Sequence, residues 1–372
     1  MLLKSGKWTC LYLVFFLICF ALAGCVQQKA SDTRNPEYES LKIVVEGDID
    51  QPQEITVGEM RALSQKKLDA SFNRTTGLLE EFEATGPDVK DVLRHLGINY
   101  SDYKGIGFTG KDAYYCLVTP EIMAERDMLL ALTIDGKSEL PEELRPARLC
   151  VQGEFGPYWV KMVDRIVLYK EIPEKNITSV WVFKNLAEGI EPYPYEYYGS
   201  KDNAIELAQI FSRFDNVNSK AFFTMKSSDG FKKNEAINMV SQRYYIKVAG
   251  EGAPMNMAPN IKLGMNVMHM AWFSTNADAA VFPEEIVELT GERQAGTQKG
   301  ISLLAILEEV GLIDIEKRQF EVIGTDGNSV KVSGQDLNKG ILVIKDDGTY
   351  PVVWNEGEGL RPIDNLMRIR QR

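Results

Sequence analysis

The feature that most narrows the fold of this chain is a spacing pattern that occurs three times. In VKDVLRHLGI, Val89, Val92, Leu93 and Leu96 stand at i, i+3, i+4 and i+7, one face of a helix, and Gly97 is placed to end it. The strand-like GIGFTG follows, and Asp112 comes sixteen residues after Leu96. Ala204, Leu207, Ala208 and Phe211 repeat the spacing, AFFTMKSS follows, and Asp229 lies eighteen residues after Phe211. Leu303, Ile306, Leu307 and Val310 repeat it again with Gly311 as the stop, and QFEVIGT leads to Asp326, sixteen residues after Val310. A separation near a hundred residues is too long for a solenoid and predicts a repeated helix–strand–turn unit of domain size. Asp112, Asp229 and Asp326 are expected to open hairpin turns, a structural role that suits Asp and the residues around it. The expected fold class is therefore α+β, with mixed β-sheets, short helices and internal repetition. About 330 residues follow position 40, enough for two ordinary cores.

The first 24 residues read as an export leader. Lys4 and Lys7 precede the apolar run LYLVFFLICFALA, which is short for a membrane span, and Leu22-Ala23-Gly24 supplies small residues for cleavage. Cys25 follows immediately and resembles the lipobox cysteine of bacterial lipoproteins, which is lipid-modified and becomes the new N-terminus. Residues 25–40 are polar and read as a flexible tether. The expectation is a protein held to the cell membrane by lipid on Cys25, facing the extracytoplasmic side.

Removing the leader takes away two lysines and no acids, leaving 40 basic against 53 acidic residues, a net of −13. Such a chain repels phosphate backbones, which argues against nucleic acid as a partner. Of five cysteines, only Cys116 and Cys150 remain beyond the anchor, and they either form one disulfide or pack as two small hydrophobes. His95 and His269 are the only histidines, too few for a multi-histidine metal site within one chain. Met255, Met257, Met265, Met268 and Met270 surround His269, a soft-donor set suited to Cu(I). The same stretch also reads as a core strand filled with methionine, and that reading is preferred.

Residues 41–170 resemble the sulfite-oxidase-type, molybdopterin-binding oxidoreductase domain. The resemblance is carried, in order, by LKIVVEGDIDQPQEITVGEM, by ATGPDVKDVLRHLGI, by FTGKDAYYCLVTPEIM and by LLALTIDGKSELPEELRPARLCVQGEFGPYWVKMVDRIVLY. It implies that the Gly loop and the strand after it approach an anionic pterin phosphate, making Arg148, Gly153, Gly156 and Lys161 the positions carried over by motif. It also implies a cysteine thiolate as molybdenum ligand in the loop before the helix. Here that loop, residues 69–86, has no cysteine, and Ser71 or Asn73 stands about where the ligand would be. A serine hydroxyl is a harder and far less acidic donor than a thiolate. The leader also lacks any arginine, whereas enzymes of this type that are exported with cofactor use a twin-arginine signal.

Together these features predict a molybdopterin-binding-like domain over 41–170, a Pro- and Tyr-rich linker over 171–200, and a second domain over 201–372 built from two partial repeats. The expected function is a lipid-anchored, non-catalytic module for a small ligand or an envelope protein, with no cofactor assigned. The alternatives are an atypical molybdopterin-dependent oxidoreductase and a Met-rich copper-binding lipoprotein. Acidic pairs such as Glu80-Glu81 and Glu142-Glu143 are expected to form solvated faces.

Overall fold

The computed structural model describes residues 35–372 except 74–78, 113, 155, 173–174, 198, 219–220, 238–239, 242–243, 259–265 and 356–358. Cys25 and the leader lie outside the described residues. No described helix is long and apolar enough to cross a membrane.

The first unit contains β1 (Lys42–Gly47), β2 (Gln53–Thr56), β3 (Gln65–Asn73), β4 (Leu79–Pro87), β5 (Gly105–Gly110), β6 (Tyr115–Val118), β7 (Met128–Ala131), β8 (Thr133–Ile134), β9 (Arg148–Val151) and β10 (Val163–Tyr169). A five-stranded mixed sheet has the order β2-β1-β10-β5-β6, with β1 and β10 parallel. The long β3–β4 hairpin adds β8, and β7 pairs with β9. Short helices join these elements where local signals set them. Thr56 and Glu59 form a reciprocal capping box at the helix Val57–Ala62, and Asp88 caps Val89–His95 through the Lys90 N–H. Val89, Val92 and Leu93 turn the apolar stripe of that helix into a core built with Ile43, Ile106, Phe108 and Ile166.

The rest of the chain supplies β11 (Ser179–Val182), β12 (Tyr193–Tyr197), β13 (Ser200–Glu206), β14 (Phe222–Ser227), β15 (Lys232–Ala236), β16 (Tyr245–Lys247), β17 (Met255–Met257), β18 (Met270–Ser274) and β19 (Asp278–Val281). It continues through β20 (Arg293–Ala295), β21 (Gln298–Ser302), β22 (Gln319–Gly324), β23 (Ser329–Ser333), β24 (Gly340–Leu342), β25 (Val352–Trp354) and β26 (Leu366–Gln371). Eight of these strands form one sheet, β15-β14-β18-β19-β11-β26-β22-β23, in which β11 and β19 run parallel at the centre. Each face carries its own core. Val180, Val182, Ala279, Val281 and Ile369 meet the helices Pro283–Thr290 and Leu303–Glu309 on one side. Trp181, Phe223, Met225 and Phe273 meet the helices Phe183–Leu186 and Leu207–Phe211 on the other. β11 is buried throughout, so residues 171–200, expected as a crossing segment, supply a central strand of the sheet.

All three segments singled out by spacing consist of a helix, a strand and a hairpin. The middle register differs from the sequence expectation: Ala204 lies in β13 opposite Lys247, and the buried stripe is Leu207, Ile210, Phe211 and Phe214. The shift of three residues arises because Ala204 and Leu207 are both small enough or apolar enough to fit either reading, and β13 runs directly into the helix. With this register, Gly86, Ala204 and Gly300 each precede the first helical residue by three. At the hairpins, Asp112, Asp229 and Asp326 accept from the backbone N–H two residues on, at 3.1, 3.0 and 3.0 Å, from Tyr114, Phe231 and Asn328.

The two halves meet edge to edge. Tyr114 makes an antiparallel bridge to Glu235, Tyr115 stacks on Phe222 at 6.1 Å, and Lys233 lies 5.9 Å from the Tyr114 ring centre. Each sheet thereby covers an edge strand of the other, β6 against β15.

Candidate functional site

The far end of the β3–β4 hairpin closes over β9, and Arg148 is the residue it encloses. Its side chain is almost fully buried; Nη2 lies 3.0 Å from Glu80 Oε1, and the guanidinium sits 4.4 Å from the Phe82 ring centre and 5.5 Å from that of Phe72. Trp159 stacks on Phe72 at 4.7 Å and meets Phe82 edge-on at 5.9 Å, completing an aromatic box. Arg148 Nε is buried with no partner among the described residues.

The loop between Gly153 and Gly156 explains how Trp159 reaches this box. Gly153 has φ +77°, Gly156 begins a single 3₁₀ turn, and the Trp159 N–H donates to the Gly156 carbonyl at 3.0 Å. Trp159 Nε1 then donates to the Glu154 carbonyl at 2.8 Å, while the Glu154 side chain pairs with Arg126 at 3.0 Å. The loop folds an indole back onto the Phe72 ring, which lies beside the Arg148 guanidinium.

The other positions anticipated from sequence separate from Arg148. Ser71 is exposed and opposite Glu81, whereas its neighbours Ala70 and Phe72 point into the box, as strand alternation requires. The Asn73 side chain lies outside the described residues. Lys161 is exposed and precedes β10 instead of lying within it, followed by Met162 at φ +51°. Glu80, read from sequence as part of a solvated acidic pair, is the counter-ion of Arg148. The alternation of Glu80 and Phe82 in LEEFE was the available signal for placing both on one face.

Cys116 and Cys150 are both free and buried, which corrects the disulfide alternative. They belong to different clusters, Cys116 on the edge strand β6 of the five-stranded sheet and Cys150 against the Arg148 box. Burial pushes the Cys150 thiol up to about 12, with Arg148 opposing the shift and Glu80 adding to it. Burial likewise raises Cys116 far above the ordinary thiol range. Neither thiol has the electropositive, accessible setting of a thiolate ligand.

The methionine set also disperses. Met255 and Met257 pack with Tyr195 and Ala204, Met270 packs with the Phe273 core, and Met268 is partly exposed beside Gly252. β18 begins only at Met270, and His269 stands before it at φ +49° with Nδ1 3.4 Å from Glu285. Met255 and Met257 thus belong to one cluster and Met270 to another, with Met268 and His269 at the surface, an arrangement that adds no support to the copper reading of Met255, Met257, Met268, His269 and Met270. Met265 lies outside the described residues. Among the described residues no group of three or more His, Cys, Asp or Glu side chains could hold a metal ion.

Residues 30–177 match the family model described as oxidoreductase molybdopterin binding domain. No curated protein matches the chain. Among solved structures, the chain is similar to the crystal structure of the sulfane dehydrogenase SoxCD from Paracoccus pantotrophus, at 13% identity and a TM-score of 0.33, covering 67% of this chain and 79% of that one. At that distance no residue or activity passes from one protein to the other. The cofactor implied by the family can be tested against the residues present. A thiolate donor is missing from the hairpin, both remaining thiols are sealed in cores, and Arg148 is enclosed by Glu80 and two aromatic rings. This set does not fit a molybdenum–pterin group.

Proposed function

With residues 30–177 carrying a domain of the oxidoreductase molybdopterin-binding family, we propose that the protein keeps this scaffold as a non-catalytic module that binds a small ligand or a partner at the cell envelope. The observation that carries the reading is the closure of Arg148 by Glu80, Phe72 and Phe82. An arginine available to an anionic cofactor would present its forked donors outward, whereas this one is enclosed, with Nη2 turned to the Glu80 carboxylate. Fold alone does not fix activity, and a scaffold outlasts its chemistry.

The decisive experiment is to purify the protein natively from a host that makes molybdopterin, then measure bound metal by mass spectrometry and pterin by fluorescence after oxidation. The expected result is neither above trace. Near-stoichiometric molybdenum and pterin would overturn the reading and return Ser71, Asn73, Arg148 and Lys161 to the centre of a catalytic account.

The envelope location belongs to the same proposal and rests on the leader and Cys25. Cys25→Ser is expected to move the protein out of the membrane fraction. Retention of the variant in membranes, resistant to carbonate washing, would remove the lipid anchor from the proposal.

A further inference from the structure

The face of the eight-stranded sheet opposite Phe223 and Met225 carries an unusual charge balance. There β14 and β15 set Thr224 against Asn234 and Lys226 against Lys232, and β18 brings Ser274 beside Thr224. Lys175, just ahead of β11, lays its ammonium onto this face. Its Nζ donates to Thr224 Oγ1 at 2.5 Å, to Ser274 Oγ at 2.9 Å and to the Ser274 carbonyl at 3.4 Å, and lies 4.5 Å from the Phe222 ring centre. Every one of these oxygens is neutral.

Lys226 is satisfied differently. Its Nζ pairs with Glu309 Oε1 at 2.5 Å, and the same oxygen accepts from Trp272 Nε1 at 2.9 Å. Among the described residues no carboxylate pairs with Lys175 or Lys232. Among the described residues three ammonium groups and one carboxylate thus share the face, in a protein of net charge −11. Burial, reinforced by the charge of Lys232, pushes Lys175 well below the ordinary lysine range. An enclosed ammonium beside a second one is costly unless a counter-charge joins them.

Donors for such a counter-charge are in place. Thr224 Oγ1 gives its hydrogen to Asn234 Oδ1 at 2.7 Å, and the Asn234 amide nitrogen has no partner among the described residues. Ser274 is buried, and its hydroxyl accepts from Lys175 and so fixes the position of the ammonium. Lys232 is exposed, and Lys175 and Asn234 are partly so, which leaves an approach from solvent.

We propose that this face binds a tetrahedral oxyanion, a free phosphate or the phosphate group of a small ligand, between Lys175 and Lys232, with Asn234 as a neutral donor. The site lies in the second half of the chain and is independent of how the first domain is read.

The test is calorimetric titration of the whole protein with inorganic phosphate, against chloride at matched ionic strength. Saturable binding is expected in the wild type, weakened about tenfold in Lys232→Gln, as loss of one charged donor implies. Lys175→Met is expected to abolish it, and because that change removes an enclosed group, the exposed Lys232→Gln is the deciding variant. Phosphate is also expected to slow reductive methylation of Lys175 without slowing that of the distant, exposed Lys67. Tighter binding of glycerol phosphate than of inorganic phosphate would assign a ligand-borne group, and the reverse a free ion. Phosphate binding no better than chloride, or binding in Lys232→Gln equal to wild type, would overturn the proposal.

Discussion

Removing the Arg148 guanidinium would leave the Glu80 carboxylate against aromatic rings with no counter-charge. Arg148→Met is therefore expected to cost about 3 kcal/mol, and Arg148→Met combined with Glu80→Leu to recover most of it, read from urea midpoints at constant m. The two sealed thiols make a second prediction. Ordinary thiols ionise near pH 8.5, so above that pH the unfolded chain loses a proton at Cys150 that the folded protein retains up to about 12. The raised folded value means that stability is fully present below about pH 8.5 and declines above it, by about 1.4 kcal/mol per pH unit for this thiol. Neither Cys116 nor Cys150 should react with a disulfide reagent until the protein is unfolded, and rapid native labelling of either would contradict their burial. Sequence made Arg148 and the Gly153–Gly156 loop visible as a unit, because a Pro-x-Arg-Leu strand followed by two close glycines is a local pattern. It hid Glu80, because ion pairing across a hairpin depends on what lies beneath the strand. The outward placement of Ser71 has a local signal: Ala70 and Phe72 flank it, and period-two alternation turns it to solvent.

At the level of elements, the strands that enter the first and the third of the helices singled out by spacing each have a position where backbone crosses backbone. A Cβ on Gly86 would stand 2.0 Å from the Leu130 carbonyl oxygen, and one on Gly300 would stand 2.2 Å from that of Leu342. Both contacts are to main chain and cannot be relieved by a rotamer change. Gly86→Ala and Gly300→Ala are each expected to destabilise by about 1–3 kcal/mol, whereas Ala204→Gly at the corresponding middle position should cost no more than about 1 kcal/mol. Thermal melts of the three variants check the comparison; an unaffected Gly86→Ala would mean that β4 and β7 pack less closely than described. Helical spacing identified these segments because apolar periodicity survives in short helices. The middle register slipped because Ala204, a strand residue, happens to sit three positions before Leu207. β11 escaped notice for a related reason: SVWV is only four residues long and is flanked by proline, asparagine and glycine, the punctuation of a linker.

For the whole molecule, the contact between halves rests on a few large side chains at two sheet edges. Tyr115 and Phe222 stack with nearly parallel planes, and the Tyr115 hydroxyl is held by Tyr169 at 3.0 Å. A double-mutant cycle with Tyr115→Ala and Phe222→Ala is expected to show a coupling of about 0.5–1.5 kcal/mol, and additivity would mean that the halves touch without stabilising one another. The mixed-sheet class was legible from the many short alternating segments. The order of the eight-stranded sheet was not, because no local pattern says that β11 belongs beside β26. That pairing has a temporal side. Ser179 pairs with Arg370, which a ribosome delivers roughly two hundred residues later, so β11 emerges with both sides open, can gain β19 about a hundred residues on, and keeps the other side open until the last strand is made. Until those last residues arrive, the growing chain holds an apolar strand with an open side for which any passing strand is a competitor, and whatever guards it in that interval must act before the protein is finished.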